Sequence, residues 1–385
     1  MTDRVGDVPK VLAFGTYDAG RHPRIAVLIE GLRAHGVDVR QVNRPLGLST
    51  ADRVSMLRRP WRVAILAAKL VWRWAGLTRG ALREKRSNPP DFVLVGYLGH
   101  FDVFLARLLF SKPRTVLDHL LFAGDTAADR GEGGWRVRLL RALDGAATAQ
   151  AGIVIVDTDE HLAMLKGAAR RRGVVVPVGA TGAWFAAAVQ PSDLAVHALR
   201  VVFYGLFTPL QGAPMIAEGL ARAAHLAEQS GARIEVTMVG TGQDLDAARR
   251  GLAGVPQVRW IDWVEPADLP RLVAAHDVCL GIMSTTPKGR RVVPNKVYQG
   301  LAAGCVVVTA NTPAQARTLG KHLRMVEAGN AEALGRELAK LTDQAQLSKA
   351  REQAAGGREL VRPQRIVAPL LQAMGIKSED RGGER

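Results

Sequence analysis

The feature that most limits the fold is an alternation of short apolar runs with amphipathic stretches, and it occurs twice. KVLAF (residues 10–14) reads as a buried strand ending at Gly15, and Arg24 to His35 follows with helical spacing. VDVRQV, DFVLVGY (91–97), PRTVLD (113–118) and GIVIVDT read as further strands, with a helical pattern near 135–149. The pattern then restarts. LRVVFYGLF, RIEVTMVGTG, QVRWIDWV, HDVCLGIM and CVVVTAN are strand-like, and PMIAEGLARAAHLAEQ and PNKVYQGLAAG lie between them as helices. Strands alternating with helices predict an α/β fold with parallel sheets. Two such runs predict two Rossmann-like domains facing across a cleft. We place an N-terminal domain at 1–180, a C-terminal ligand-binding domain at 181–360, and a C-terminal helix and tail at 361–385 that can return to the first domain.

The 385 residues suit two domains, and a hydrophobic content of 48% is enough for two cores. No uninterrupted apolar stretch is long enough to span a bilayer, and MTDRVGDVPKVLAFG lacks the order of a signal peptide, so the expectation is a cytoplasmic protein. Cys279 and Cys305 sit in apolar strands and read as buried reduced thiols outside any metal-ligand spacing. A net charge of +16 favours phosphate-rich partners: nucleic acid, anionic membrane or charged substrates.

Ligands of open parallel sheets bind beyond the carboxyl ends of the strands, so the loops there carry the functional signal. FYGLFTPLQGAP (203–214) brings Gly205 after a strand and Gln211 and Gly212 before a helix. Free amides at a helix start favour a phosphate, although many ordinary turns look the same. VGTGQD (239–244) is a second such turn. The third is STTPKGRRVVPNKVYQGLAAG, where Lys288, Arg290 and Arg291 precede a helix opened by Pro294 and Asn295. Cations and helix amides together suit a diphosphate; a solvated charge run is the plain alternative.

VVPNKVYQGLAAGCVVVTANTPA resembles the donor-site segment of retaining GT-B glycosyltransferases, family four of their sequence classification. VVFYGLFTPLQG and KGRRVVPNKVYQGLAAG are similar to its PLQG turn and PNKVY helix, and VVPVGATGAWF resembles its interdomain junction. The resemblance covers most of 174–320 and is weaker over 1–173. It implies donor contacts at Gly15, Gly205, Gln211, Val264, Lys288, Arg291, Asn295, Lys296 and Gln299. Some positions depart from the family. Its ribose-binding Glu falls at Gln299, the paired Glu at Arg291, and the phosphate-loop Arg and Lys near Phe207 and Gln211. An arginine cannot serve a sugar hydroxyl as a carboxylate does, which leaves the donor sugar open.

In the first half, the loop after Gly15 holds His22 and Arg24. TVLDHLLFAGDT (115–126) holds Asp118, His119 and Asp125, the catalytic candidates the resemblance implies. The family order is His-Asp and here it is Asp-His, so which residue touches the donor sugar stays open. The implied reaction moves a sugar from a nucleotide diphosphate sugar to an acceptor with retention. It needs no metal and no cofactor, since cations stabilise the leaving diphosphate, and the sequence offers no convincing Asp-x-Asp metal motif.

Residues 58–86 are rich in Lys and Arg, with Glu84 the one acid and Trp61, Trp72 and Trp74 among aliphatics. This stretch reads either as a membrane-interface segment or as a packed helix with a basic outer face. The first reading favours a peripheral enzyme on the inner membrane face with a lipid-linked or cell-envelope acceptor, the second a natural-product acceptor. A catalytically weak binding protein is a further alternative. Nucleic acid is disfavoured for want of a recognition motif, and a nicotinamide enzyme for want of Gly-x-Gly-x-x-Gly with its acid.

Overall fold

The computed structural model describes residues 8–20, 22–47, 60–129, 131–188 and 198–377. The chain forms two compact units. Unit 1 comprises Met1–Val176 with Ile366–Arg385, and unit 2 comprises Pro177–Arg365.

Unit 1 is built on a six-stranded sheet of β1 (Lys10–Gly15), β2 (Asp38–Asn43), β3 (Phe92–Val95), β4 (Thr115–Asp118), β5 (Ile153–Val156) and β6 (Gly173–Val175), in the order β2-β1-β3-β4-β5-β6. All neighbours are parallel. β4 and β5 are buried at every position, so TVLD and IVIV have no solvent face to pay for with polar residues. One face of the sheet packs on Ile25, Leu28 and Leu32 of the helix Arg24–Ala34 and on Leu370, Leu371 and Met374 of the helix Ala368–Met374. The other packs on Leu77, Ala81, Val103, Ala106 and Ala147. The basic stretch is a helix, Pro60–Ser87. Leu77 and Ala81 are its buried stripe, whereas Val71 and Trp72 point to solvent at 63% and 69% exposure. Trp74 faces inward, its indole Nε1 donating to Asp102 Oδ1 at 2.8 Å. The side chain of Trp61 lies outside the described residues.

Unit 2 repeats the plan with β7 (Leu199–Tyr204), β8 (Ile234–Val239), β9 (Val258–Ile261), β10 (Val278–Leu280), β11 (Val306–Ala310) and β12 (Arg324–Val326), ordered β12-β11-β10-β7-β8-β9. Again every pairing is parallel. Its core joins β7, β8, β10 and β11 to Ile216, Ala217, Leu220 and Ala223 of the helix Ala213–Gln229 and to Leu334 and Leu338 of Ala331–Lys340. Cys279 and Cys305 are buried free thiols. Burial pushes the Cys279 thiol up to about 12, so it stays protonated and inert.

The edge strands β6 and β12 have three residues each and do not stand out in the sequence. No helix of the described residues is long and apolar enough to cross a membrane.

Candidate active site

In unit 2 the chain leaves β7 to one side for β8 and β9 and returns on the other for β10 to β12. The switch point therefore lies between β7 and β10, and ligands of such sheets sit outside the carboxyl ends of the strands there. The loops that follow β7 and β10 run through Gly205, Gln211, Lys288 and Arg291 to the helix Asn295–Ala302.

The backbone at this edge is tightly interlocked. Phe207 N donates to Thr241 O at 2.9 Å and Asp244 N donates to Phe207 O at 3.0 Å. Gly240 has φ of 124°, and a Cβ there would lie 2.0 Å from Gly205 O, so only glycine lets the two loops meet. Gly212 has φ of 71° and opens the helix Ala213–Gln229. Met283 N donates to Gln211 O at 3.1 Å, tying the β10 loop to the β7 loop.

Lys296 is the centre of this arrangement. It lies in the first turn of Asn295–Ala302 and is 5% exposed, and its ammonium donates to Gln211 Oε1 at 2.6 Å. The nitrogen lies 3.9 Å from the centroid of the Phe203 ring, within cation–π range. A Cβ at Gly205 would lie 3.3 Å from Lys296 Nζ, so the Gly205 turn skirts the ammonium. Among the described residues no carboxylate pairs with it. Burial lowers its pKa to about 7, with the Cys279 thiol opposing slightly.

Around it, Lys288 and Arg291 are half-buried and Arg290 is exposed, on a turn closed by Arg290 N to Thr286 O at 3.2 Å and Arg291 N to Lys288 O at 3.0 Å. Asn295, at the helix start, is exposed. Gln299 is buried, and its Oε1 accepts from the Tyr204 hydroxyl at 2.9 Å, which leaves its amide NH₂ as the group to meet a ligand. Val264 is half-buried on the loop after β9, beside Glu265, whose Oε1 accepts from Trp263 Nε1 at 3.3 Å. The structure thus gathers Gly205, Gln211 and Lys296 around one ammonium and places Lys288, Arg291, Asn295 and Gln299 on the loop and helix leading through it.

The remaining candidates belong to unit 1. Gly15 ends β1 with φ of 137°, and Asp102 Oδ2 accepts from the amide and hydroxyl of the next residue, Thr16, at 2.7 and 2.8 Å. Arg24, read in sequence as part of a ligand-facing loop, is 1% exposed and paired with Asp118, Nε to Oδ1 at 3.2 Å. Burial nevertheless raises the Asp118 pKa, with Arg24 opposing. His119 is 1% exposed and packs edge-on against Phe122, ring centroids 4.6 Å apart. Burial holds it down to about 3, with His100 adding to the effect, so the ring is neutral. Asp125 is half-buried on the helix Ala123–Asp129. Missed in the sequence were His100 and Asp144, buried beside His119; they come from a loop and a helix with no motif to mark them.

Two parallel six-stranded α/β sheets, with the polar groups of one gathered at its switch point, define a protein of the GT-B class. Sucrose-phosphate synthase from Thermosynechococcus elongatus shares the fold with a TM-score of 0.64 at 14% identity, over 96% of each chain. The UDP-forming α,α-trehalose-phosphate synthase from Burkholderia vietnamiensis gives 0.63 at 13%, over 96% of this chain and 97% of its own. HepE from Anabaena, solved in complex with UDP, gives 0.61 at 13%, over 95% and 100%. No curated protein is similar in sequence. Residues 198–344 match the family model described as Glycosyl transferases group 1. Unit 2 therefore carries a group 1 glycosyltransferase domain.

Proposed function

We propose that the chain transfers a sugar from a nucleotide diphosphate sugar to an acceptor hydroxyl, with retention of anomeric configuration and without a metal ion at the diphosphate. The observation that carries this reading is Lys296, a buried cation at the switch point held by a neutral amide. A buried charge without a counter-charge is costly, and a bound diphosphate supplies one. In the reaction the bond from the anomeric carbon to the diphosphate oxygen breaks, and the bond to the acceptor oxygen forms on the same face. Lys296, Lys288, Arg291 and the first amides of Asn295–Ala302 stabilise the charge on the departing diphosphate, and a phosphate oxygen takes the acceptor proton. Retention is supported by the similarity of VVPNKVYQGLAAG to retaining enzymes.

Uridine is the base to try first, because the fold is shared with HepE, solved with UDP and with UDP-glucose. A thermal-shift screen of UDP, GDP, ADP, dTDP and their sugar conjugates tests the reading. A ligand at ~100 times its dissociation constant adds about 2.7 kcal/mol. No shift with any of them would remove it.

For the acceptor we propose a lipid-linked glycan or lipid on an anionic membrane, with the chain bound peripherally. The helices Pro60–Ser87, Asp102–Leu109 and Gly134–Gln150 pack in succession in unit 1. They expose Trp72, Leu108 and Trp135 at 69%, 82% and 65%. Arg73 lies over the Trp72 ring at 4.6 Å and Arg136 over Trp135 at 5.7 Å. Exposed aromatics flanked by arginines suit lipid headgroups. Co-sedimentation with vesicles of anionic and of zwitterionic lipid tests it; equal absence from both pellets would refute it.

A further inference from the structure

A buried group of side chains at the carboxyl ends of β3 and β4 takes no part in the transfer proposed above. His100 lies in the loop after β3, His119 follows β4 directly, and Asp144 lies on the helix Gly134–Gln150. Their exposures are 7%, 1% and 7%. His100 Nε2 is 3.0 Å from Asp144 Oδ1, and His119 Nε2 is 4.0 Å from the same oxygen. One ligand atom from each falls within 4.8 Å of the others.

His119 is the anomaly. Neither ring nitrogen has a hydrogen-bond partner among the described residues. A neutral imidazole has one donor and one acceptor, and leaving either unmet inside a protein costs about 1–3 kcal/mol. Close-packed cores seldom carry such a cost without use. The 4.0 Å gap to Asp144 is too long for a hydrogen bond. It is close to the separation of two ligands on one ion: arms of ~2.0–2.1 Å in a tetrahedron set ligand atoms roughly 3.4 Å apart, a spacing that the 3.0 and 4.0 Å distances bracket. Asp144 is also held as outer-shell contacts hold a ligand, with Oδ1 accepting from Ala123 N at 3.0 Å and Oδ2 from Gly124 N at 3.1 Å.

We propose that His100, His119 and Asp144 bind a divalent transition-metal ion, zinc by preference, inside unit 1. Two imidazoles and a carboxylate suit zinc or a neighbouring first-row ion and are a poor set for calcium or magnesium, which take oxygen ligands. Three protein ligands leave a fourth position for water. The ion ties the β3 loop, the end of β4 and the helix Gly134–Gln150 together. It acts on the stability of unit 1, and the reaction needs nothing from it.

The test uses the full chain, stripped with a chelator and titrated with Co²⁺ alone. One equivalent should bind with ligand-field absorption of a low-coordinate nitrogen and oxygen site, and one equivalent of Zn²⁺ should displace it. Zn²⁺ should raise the melting temperature of the parent chain and leave that of His119→Phe unchanged. His119→Phe and His100→Gln, checked for folding by circular dichroism, should lose the cobalt spectrum. His161→Gln should keep it, because His161 belongs to a separate pair with Asp157 at 2.5 Å. Substoichiometric cobalt uptake by the parent chain, or an unchanged spectrum in folded His119→Phe, would overturn the site.

Discussion

The two sheets share a plan and use their carboxyl ends in opposite ways. In unit 1, outside the group formed by His100, His119 and Asp144, the polar groups there are mostly satisfied by one another: Arg24 with Asp118, Thr16 and Trp74 with Asp102, His161 with Asp157. In unit 2 the central cation meets, among the described residues, the side-chain oxygen of Gln211 and the rings of Phe203 and Tyr204, and no carboxylate. A charge neutralised from within holds a fold together, whereas one held by a neutral amide is stabilised from outside. On the proposed function, the contrast separates scaffold from ligand site where the topology alone does not.

The sharpest way to break this contrast is to remove one member of a closed pair. Asp118→Ala removes the carboxylate that pairs with the buried Arg24 and should cost about 3–5 kcal/mol in a denaturant melt. Adding Arg24→Met should restore most of the loss; a cost below 1 kcal/mol for Asp118→Ala would mean that the pair is not internal scaffold. Lys296→Met should do the reverse in two respects. It should weaken UDP or UDP-sugar binding about 100-fold, or ~2.7 kcal/mol. The ligand-free chain should become more stable at pH 7 by roughly 1–3 kcal/mol, because a desolvated charge is removed. Calorimetry and denaturant melts read both, and two effects of the same sign would contradict the assignment.

The pH dependence sharpens the comparison further. Lys296 titrates at about 7 when folded and at ~10.4 when unfolded. Between those values the unfolded chain holds more protons, so the stability of the ligand-free chain should rise with pH above about 7 through this group. Donor affinity should fall over the same range, since the diphosphate needs the ammonium. Titrations from pH 6 to 9 should show both slopes, and Lys296→Met should flatten them. The smallest effect concerns the outer face of unit 1. Trp72→Ala should change stability by no more than ~0.5 kcal/mol and reduce binding to anionic vesicles several-fold. Trp74→Ala, which breaks the bond to Asp102, should cost about 1–3 kcal/mol whatever the lipid.

Much of the fold was legible because strands buried on both faces leave apolar runs such as IVIV and VVVTA. The edge strands GVV and RMV were not, being short and only half-covered. The glycine turns after β7 and β8 were visible as motifs, but the bond between Gln211 and Lys296 was not. Their positions are 85 apart, and a missing lysine at 211 gives no sign that a cation returns from another helix. Arg24 misled for a related reason: its loop suits a ligand, and only the structure shows Asp118 beside it. Trp72 and Trp74 share one motif in the sequence, yet one faces solvent and the other is bonded within the unit.

The division of the chain also sets an order of assembly during synthesis. Residues 366–374, which complete one face of the first sheet, come after the whole of unit 2. While unit 2 emerges from the ribosome and closes its own core, Val11, Ile25, Leu28 and their neighbours wait without the helix that covers them. Unit 2 is in effect an insertion within unit 1, and the first part to be translated is the last to be finished. A stalled or truncated product would therefore present a folded glycosyltransferase domain attached to an open apolar sheet face, a form that chaperones and proteases recognise.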